Sequence, residues 1–376
     1  MLLILNSCVN FPKIPPNPAT PSPQSDALKS SSFVNPSMID LFSRSDGVSV
    51  FGMKYRDNLK QLIVVYSDGH LRNYDLAKMK VLSDYQLGIV TASGLDFDRS
   101  GRYVTGATQH DSDQFNDEYI GGTGIWDMSS GELVKCSSKP CDIPGKPEEK
   151  LHATLSGNLI DPNGIFIVQI LDGGVCYDHI FDDFSWLCQD FFATNDYKII
   201  GKVAYDDAHK KLVVAFLDGT IELVNYSNGY VGNFGKILVE GRGKSNQVSV
   251  IWLGLSQDHK ILARIYAGRL MVWDASRINS FFNWRPTLLM NVSASNAKNA
   301  FFDPSGKYIF VLTTNQMQVW NTTFITNQIQ VWDIATGKTI AQFDTPGISA
   351  IASDLPDQIY WGDQKGGIHS IKFLTS

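Results

Sequence analysis

From about residue 50 onward, apolar residues fall in short runs rather than at helical intervals. Segments 62–66 (LIVVY), 212–216 (LVVAF) and 308–312 (YIFVL) are rich in β-branched and aromatic side chains and are bounded by polar turns. Runs of this length and composition, with no 3.6-residue period, predict buried sheet strands. The unit then recurs: an apolar strand, a polar turn, a second apolar strand, a tight Asp-Gly-like turn, and a strand closing on an aromatic plus Asp. Closing pairs stand at Tyr74-Asp75, Trp126-Asp127, Trp273-Asp274 and Trp332-Asp333, with weaker versions at Tyr177-Asp178 and Asn225-Tyr226. Asp75, Asp127 and Asp178 are 52 and 51 residues apart. A compact four-stranded repeat takes ~40–45 residues, so the surplus belongs to the connections.

Two further series agree with that unit. Turns between first and second strands are expected at 56–58 (RDN), 98–101 (DRSG), 161–164 (DPNG), 206–209 (DDAH), 257–259 (QDH), 303–306 (DPSG) and 354–357 (DLPD), seven in all. Pro presets φ, Gly permits positive φ, and Asp or Asn bonds the local backbone, so each suits a tight reversal. Hairpin turns between second and third strands follow at Asp68-Gly69, Asp172-Gly173, Asp218-Gly219, Ala267-Gly268 and Gly366-Gly367. The last unit has strands at 359–361 and 368–373 and then runs out of chain, one strand short. Residues 37–42 (SMIDLF) are the candidate to supply it.

Over residues 38–376 the chain resembles the WD40-repeat family, most strongly at 331–338 (VWDIATGK) and 125–131 (IWDMSSG). The resemblance implies an all-β, seven-bladed β-propeller, here closed by an N-terminal strand, and a protein-binding role. No blade carries the Gly-His pair that the family places before its first strand, so the internal Asp-His-Ser-Trp network of that family should be absent or replaced. Quinoprotein-like propellers, which share Asp-x-x-Thr-Gly-Lys turns, are the structural alternative.

The rest of the chain adds a tail. Residues 1–36 hold Pro12, Pro15, Pro16, Pro18, Pro21, Pro23 and Pro36 and a Ser run, which reads as an extended tether ahead of a propeller domain over 37–376. The opening MLLILNSC is far shorter than the roughly 20 apolar residues of a spanning helix. Leu5 to Cys8 before this tether resembles the end of a bacterial lipoprotein signal, with Cys8 as the lipidated residue and the upstream part lost to a late start. An ordinary cytoplasmic N-terminus is the alternative, so the expected location is either cytoplasmic or membrane-anchored on the periplasmic or outer side. The other cysteines form two candidate disulfide pairs, Cys136 with Cys141 and Cys176 with Cys188.

Charge and motifs narrow the function. A formal charge of −6 gives no basic field for nucleic acid or anionic lipid. Gly241 to Ser245 imitates a phosphate loop but has Leu238 where the first Gly is needed. Residues 110–118 gather Asp111, Asp113, Asp117 and Glu118 without the Gly and Glu of a calcium loop, and read as a solvated acidic insertion. No catalytic or metal signature appears, so no cofactor is expected. Residues 314–320 (TNQMQVW) and 326–332 (TNQIQVW) are near copies twelve apart; a blade needs one, so the other should extend the sheet edge or add a hairpin. The expectation is therefore a monomeric, non-catalytic scaffold. It would bind a protein or peptide through loops of one face that include Asp111, Asp113, Asp117 and Glu118, whose charge favours a basic partner. The rival is a quinoprotein-like or lactonase-like propeller with an enzymatic or cofactor site at its central channel.

Overall fold

The computed structural model describes residues 38–43, 46–87, 89–108, 123–137, 155–160, 166–171, 174–179, 187–190, 200–206, 210–227, 230–231, 236–239, 250–278, 286–319, 322–345, 347–352 and 358–372. The chain divides into two units, Met1–Ser31 and Ser32–Ser376, and every described residue belongs to the second. The proposed tether and Cys8 lie outside the described residues.

Among the described residues all regular structure is β except one short 3-10 turn, Asp57–Leu59. The strands form antiparallel sheets in which sequence neighbours pair. The first contains Val50–Arg56, Gln61–Tyr66, His70–Asp75 and Lys80–Gln86. The second contains Ile89–Phe97, Tyr103–Thr108, Thr123–Asp127 and Glu132–Ser137, and the third Leu155–Ile160, Phe166–Leu171, Gly174–His179 and Leu187–Asp190. The fourth begins with Ile200–Asp206, Lys211–Phe216 and Ile221–Ser227. The fifth contains Val250–Leu255, Ile261–Tyr266, Arg269–Asp274 and Thr287–Ser293, and the sixth Ala297–Phe302, Tyr308–Val319, Thr322–Asp333 and Lys338–Asp344. The last contains Ile348–Ala352, Gln358–Asp363, Ile368–Lys372 and, at its outer edge, Met38–Phe42.

The expectation of seven equivalent blades closed by the N-terminal strand is corrected in two respects. Six sheets are four-stranded blades, not seven; in the remaining sheet Ile221–Ser227 pairs with two separate short strands, Tyr230–Val231 and Lys236–Val239, giving five strands. The cause is local: Ser227 pairs with Tyr230 across Asn-Gly, a dipeptide suited to a two-residue hairpin, and Gly232 and Gly235 interrupt the run that follows. Closure by the N-terminal strand is not what joins the last sheet to the first. That junction is a packed core of Val50, Met53, Tyr55, Leu62, Val64, Tyr66 and Tyr74 against Ala350, Ala352, Tyr360 and Ile368, to which Leu41 and Phe42 add partly buried side chains. Met38–Phe42 pairs with Ile368–Lys372 as an edge strand, with a register shift before Phe42.

Burial falls from second strands outward. Gln61–Tyr66 and Lys211–Phe216 are buried at every position after the first, whereas Lys80–Gln86 and Thr287–Ser293 are mostly exposed. Neighbouring sheets approach mainly through their first strands, so those strands are innermost. Each first strand carries a register shift around its second residue, at Phe51, Val90, Ser156, Gly201, Ile251, Lys298 and Ser349. A bulge bends and twists a strand, and its recurrence at one position gives all the sheets the same curvature at their inner edge. Crowding there leaves no room for side chains at some positions: a Cβ on Gly201 would stand 2.8 Å from Val250 Cγ2. Between the fourth and fifth sheets the contact is polar as well as apolar. Buried Arg264 donates to the Gly219 carbonyl oxygen (2.6 Å) and lies over the Tyr266 and Trp273 rings, and the Tyr266 hydroxyl donates to the Leu217 carbonyl (3.2 Å). Burial lowers the Arg264 pKa to about 10.

Candidate interaction surface

Antiparallel order sends the connections of every sheet to two opposite ends. Turns joining first to second and third to fourth strands share one end; turns joining second to third strands, and links to the next sheet, share the other. The first end is built from aspartates spent on backbone. At Asp98 the Tyr103 amide donates to Oδ1 (2.7 Å), and the Ser100 amide and hydroxyl donate to Oδ2 (3.1 and 2.5 Å). Asp303 repeats the arrangement with the Tyr308 amide (2.6 Å) and the amide (3.0 Å) and hydroxyl of Ser305. Gly101 and Gly306 complete the two turns at φ 67°. In the fifth sheet Ser256 takes the place of the aspartate, its hydroxyl accepting from the Ile261 amide (3.0 Å) and donating to Asp258 (2.6 Å).

The aspartates of the aromatic-Asp pairs act at the same end. Asp75 accepts from the Ala77 and Lys78 amides (3.0 Å each), Asp274 from the Ser276 amide (2.8 Å) and Asp333 from the Thr336 amide (2.8 Å). Asp127 accepts from the Ser129 amide (2.8 Å) and from Arg102 (2.9 Å). Burial pushes the Asp127 carboxyl up, but the bonds from Ser129 and Arg102 outweigh it and hold the group below its ordinary range. The aromatic before each Asp sits at a second recurrent register shift, at Asn73/Tyr74, Ile125/Trp126, Val272/Trp273 and Val331/Trp332. These carboxylates are turn caps, and they make this the capped end of the molecule. It has two longer connections, twelve residues between Asp274 and Thr287 and seven between His179 and Leu187.

The opposite end carries tight turns in some sheets, as at Asp68-Gly69 and Asp218-Gly219, where the His70 and Thr220 amides bond the Asp side chains (3.1 and 2.7 Å). In other sheets it is extended. Thr108 and Thr123 flank a 14-residue connection that contains Asp111, Asp113, Asp117 and Glu118, and Ser137 and Leu155 flank a 17-residue link to the third sheet. Both connections lie outside the described residues, so the topology assigns them an end but no geometry. Links of nine and ten residues follow the third and fourth sheets at this same end.

The third extension is described. Tyr308–Val319 and Thr322–Asp333 pair continuously from Tyr308↔Asp333 to Val319↔Thr322. The first strand of that sheet pairs only as far as Thr313 and the outer strand only as far as Gln328. The added hairpin expected from the duplication is thus an arm of six residue pairs, about 20 Å long at the rise of a strand. The second copy occupies the sheet, with Ile329 fully buried and Asp333 capping the turn; the first copy has Met317 and Asn321 at those places. Amide side chains cross the base of the arm: Asn296 donates to Asn315 (3.0 Å), Asn315 to Gln328 (3.0 Å), Gln342 to Gln328 (2.7 Å) and Gln328 to Asp344 (2.8 Å). Sequence patterning did not reveal this row, although the duplication was its signal.

Of the cysteines, Cys176 and Cys188 stand directly opposite one another in adjacent strands. Opposed residues of an antiparallel pair have Cα atoms about 4.5–5.5 Å apart, within the roughly 7 Å limit for a disulfide. Cys136 stands opposite Gly124, and Cys141 lies outside the described residues. Among the described residues no group of three or more His, Cys, Asp or Glu is placed to hold a metal ion, and no helix is long and apolar enough to cross a membrane.

Radially arranged four-stranded sheets with their first strands innermost define a β-propeller, and the chain is one. No family model and no curated protein matches it. Among solved structures it is similar to the β-propeller domain of Cps50 (Swd1) from Myceliophteria thermophila, with a TM-score of 0.66, 13% sequence identity, and coverage of 89% of this chain and 99% of that one. At that identity the likeness establishes the fold alone.

Proposed function

We propose that this propeller is of the WD-repeat kind and is a non-catalytic scaffold that binds a protein or peptide through its extended end. The observation that carries the reading is the bias in the connections: long insertions gather at one end, while the opposite end is mostly short turns stapled by aspartate. Loops on a rigid scaffold are where binding residues concentrate. The aromatic-Asp pairs, with their shared register shift and turn-capping role, support the WD-repeat assignment. Asp111, Asp113, Asp117 and Glu118 suit a basic partner whose association rate depends on salt more than its dissociation rate does.

The test is affinity purification from the native host with mass spectrometry, followed by binding measurements on a variant with Asp111, Asp113 and Asp117 changed to Ser and Glu118 to Gln. Weaker binding at an unchanged melting temperature is expected. Unchanged affinity in this variant, combined with loss of binding in folded variants of the capped end, would assign the wrong end.

A further inference from the structure

We propose that the arm formed by Thr314–Val319 and Thr322–Asn327 is a self-association site, pairing edge to edge with the arm of a second copy of this chain. The inference is independent of the partner site above. Within the arm, the two six-residue segments pair with each other, and no other described strand pairs with either. At the base the Thr314 amide donates to the Asn296 carbonyl (2.9 Å) and the Asn327 carbonyl accepts from the Thr345 amide (2.8 Å); beyond those bonds no described strand covers the outer edge of either segment, over about 16 Å.

Natural sheets defend such edges with charge, proline or strong twist. Three outer strands of this molecule follow that rule, with Lys80 and Asp84, Glu132 and Lys135, and Lys338 and Asp344 in place, while Thr287–Ser293 carries neither charge nor proline. The arm is undefended as well. From Tyr308 to Trp332 the sequence contains no Asp, Glu, Lys, Arg, His, Pro or Gly. An uncharged, β-prone edge of this length is a template for another strand.

The occupant follows from the duplication and the charge. The second copy, TNQIQV at 326–331, has described strands on both sides along Gln328–Val331, and its Gln328 bonds the amide of Gln342. The fold thus demonstrates that this strand sequence accepts a neighbour on each edge and that amide-to-amide bonding suits it. The first copy, TNQMQV at 314–319, has one edge filled, and beyond Thr314 no described strand pairs with the other. A second arm offers a strand of the same length and sequence. Two chains of net charge −6 repel in general, and the uncharged arm is where that repulsion opposes approach least. Antiparallel pairing of Asn315–Val319 with the same segment of the second chain, with Met317 at the two-fold axis and position 316 opposite 318, is self-complementary and closes at two copies. So small a contact gives a weak, concentration-dependent dimer.

Sedimentation of the full chain over a wide concentration range tests this, alongside two variants. One carries Gln316→Lys and Gln318→Lys, which places like charges on the meeting edges. The other deletes residues 315–326, leaving the Thr313↔Gln328 pair closed by the two-residue turn Thr314-Asn327. Thermal melts establish that both variants are folded. The expected result is a wild-type mass rising toward twice the chain mass while both folded variants stay monomeric at the highest concentration. A wild type that remains monomeric throughout, a dimer that persists in either folded variant, or growth without limit beyond two copies would each overturn the proposal. A monomeric wild type that instead captures a foreign strand on its arm would overturn it as well.

Discussion

The capped end and the extended end are made from the same sheets, yet they spend polar residues in opposite ways. At the capped end Asp98 and Asp303 are buried, 2% and 3% exposed, with both carboxylate oxygens bonded to the turn they initiate. A buried, saturated carboxylate organises backbone and has nothing left to offer a partner. At the extended end Asn315, Gln328 and Gln342 hold the base of an arm, and the arm beyond them is bound to nothing described. Polar residues in this fold therefore divide into those that make the sheets and those that the sheets carry. Substitution should separate the two classes.

The largest effect is expected at Asp303. Replacing it with Ala removes the acceptors for the Tyr308 and Ser305 amides inside a buried turn, and unsatisfied buried donors are costly. Asp303→Ala should lose about 2–4 kcal/mol in urea unfolding, and a loss below about 0.5 kcal/mol would erase the distinction between the two ends. A comparable change at the extended end, deletion of residues 315–326, should alter stability by no more than about 1 kcal/mol, because it removes an appendage and leaves a two-residue turn.

A smaller effect should appear with pH. Asp75, Asp127 and Asp274 at the capped end are all held below the ordinary carboxylate range. For Asp75 the largest cause is the bond from the Lys78 backbone, and for Asp274 the Ser276 side chain. For Asp127 the leading factor is burial, which opposes the shift and is outweighed by Ser129 and Arg102. A depressed folded pKa means stabilisation that is present above the unfolded value, about 3.9, and is lost as pH falls through the folded value. Asp127→Asn should therefore be less stable than the parent near neutrality, with the gap narrowing below about pH 4. A gap that stays constant down to about pH 2 would show that the carboxylate's charge contributes nothing.

Between these two ends lies a covalent question that the register sharpens. Cys176 and Cys188 are opposed, so oxidation should join them in the intact protein, read as resistance to alkylation until reductant is added. Free alkylation of both in unreduced, folded protein would exclude the bond. The smallest effect on stability is expected from the quadruple replacement of Asp111, Asp113, Asp117 and Glu118, whose melting temperature should match the parent while association slows.

Much of this molecule was legible in local sequence. Runs such as 62–66 and 212–216 became fully buried second strands, and the Asp-initiated turns at 98 and 303 formed as their residue types require. These features depend on residues within a few positions of one another, and short-range sterics and hydrogen bonding decide them. Other features needed the sheets to assemble. The recurrent shift at the second residue of each first strand has no common residue type, since Phe51, Gly201 and Lys298 all occupy it, and it follows the strand's place in its sheet. The uniform blade count failed at residues 221–239 because strand partnership, rather than strand propensity, fixes how many strands a sheet has. Arg264 was unremarkable in sequence and became an inter-sheet contact through a carbonyl 45 residues away. Local sequence was enough to show that two copies of one strand exist; packing alone decided that Ile329 and Asp333 enter the sheet while Met317 pairs within the arm, because burial and turn capping compare residues that the linear order keeps apart.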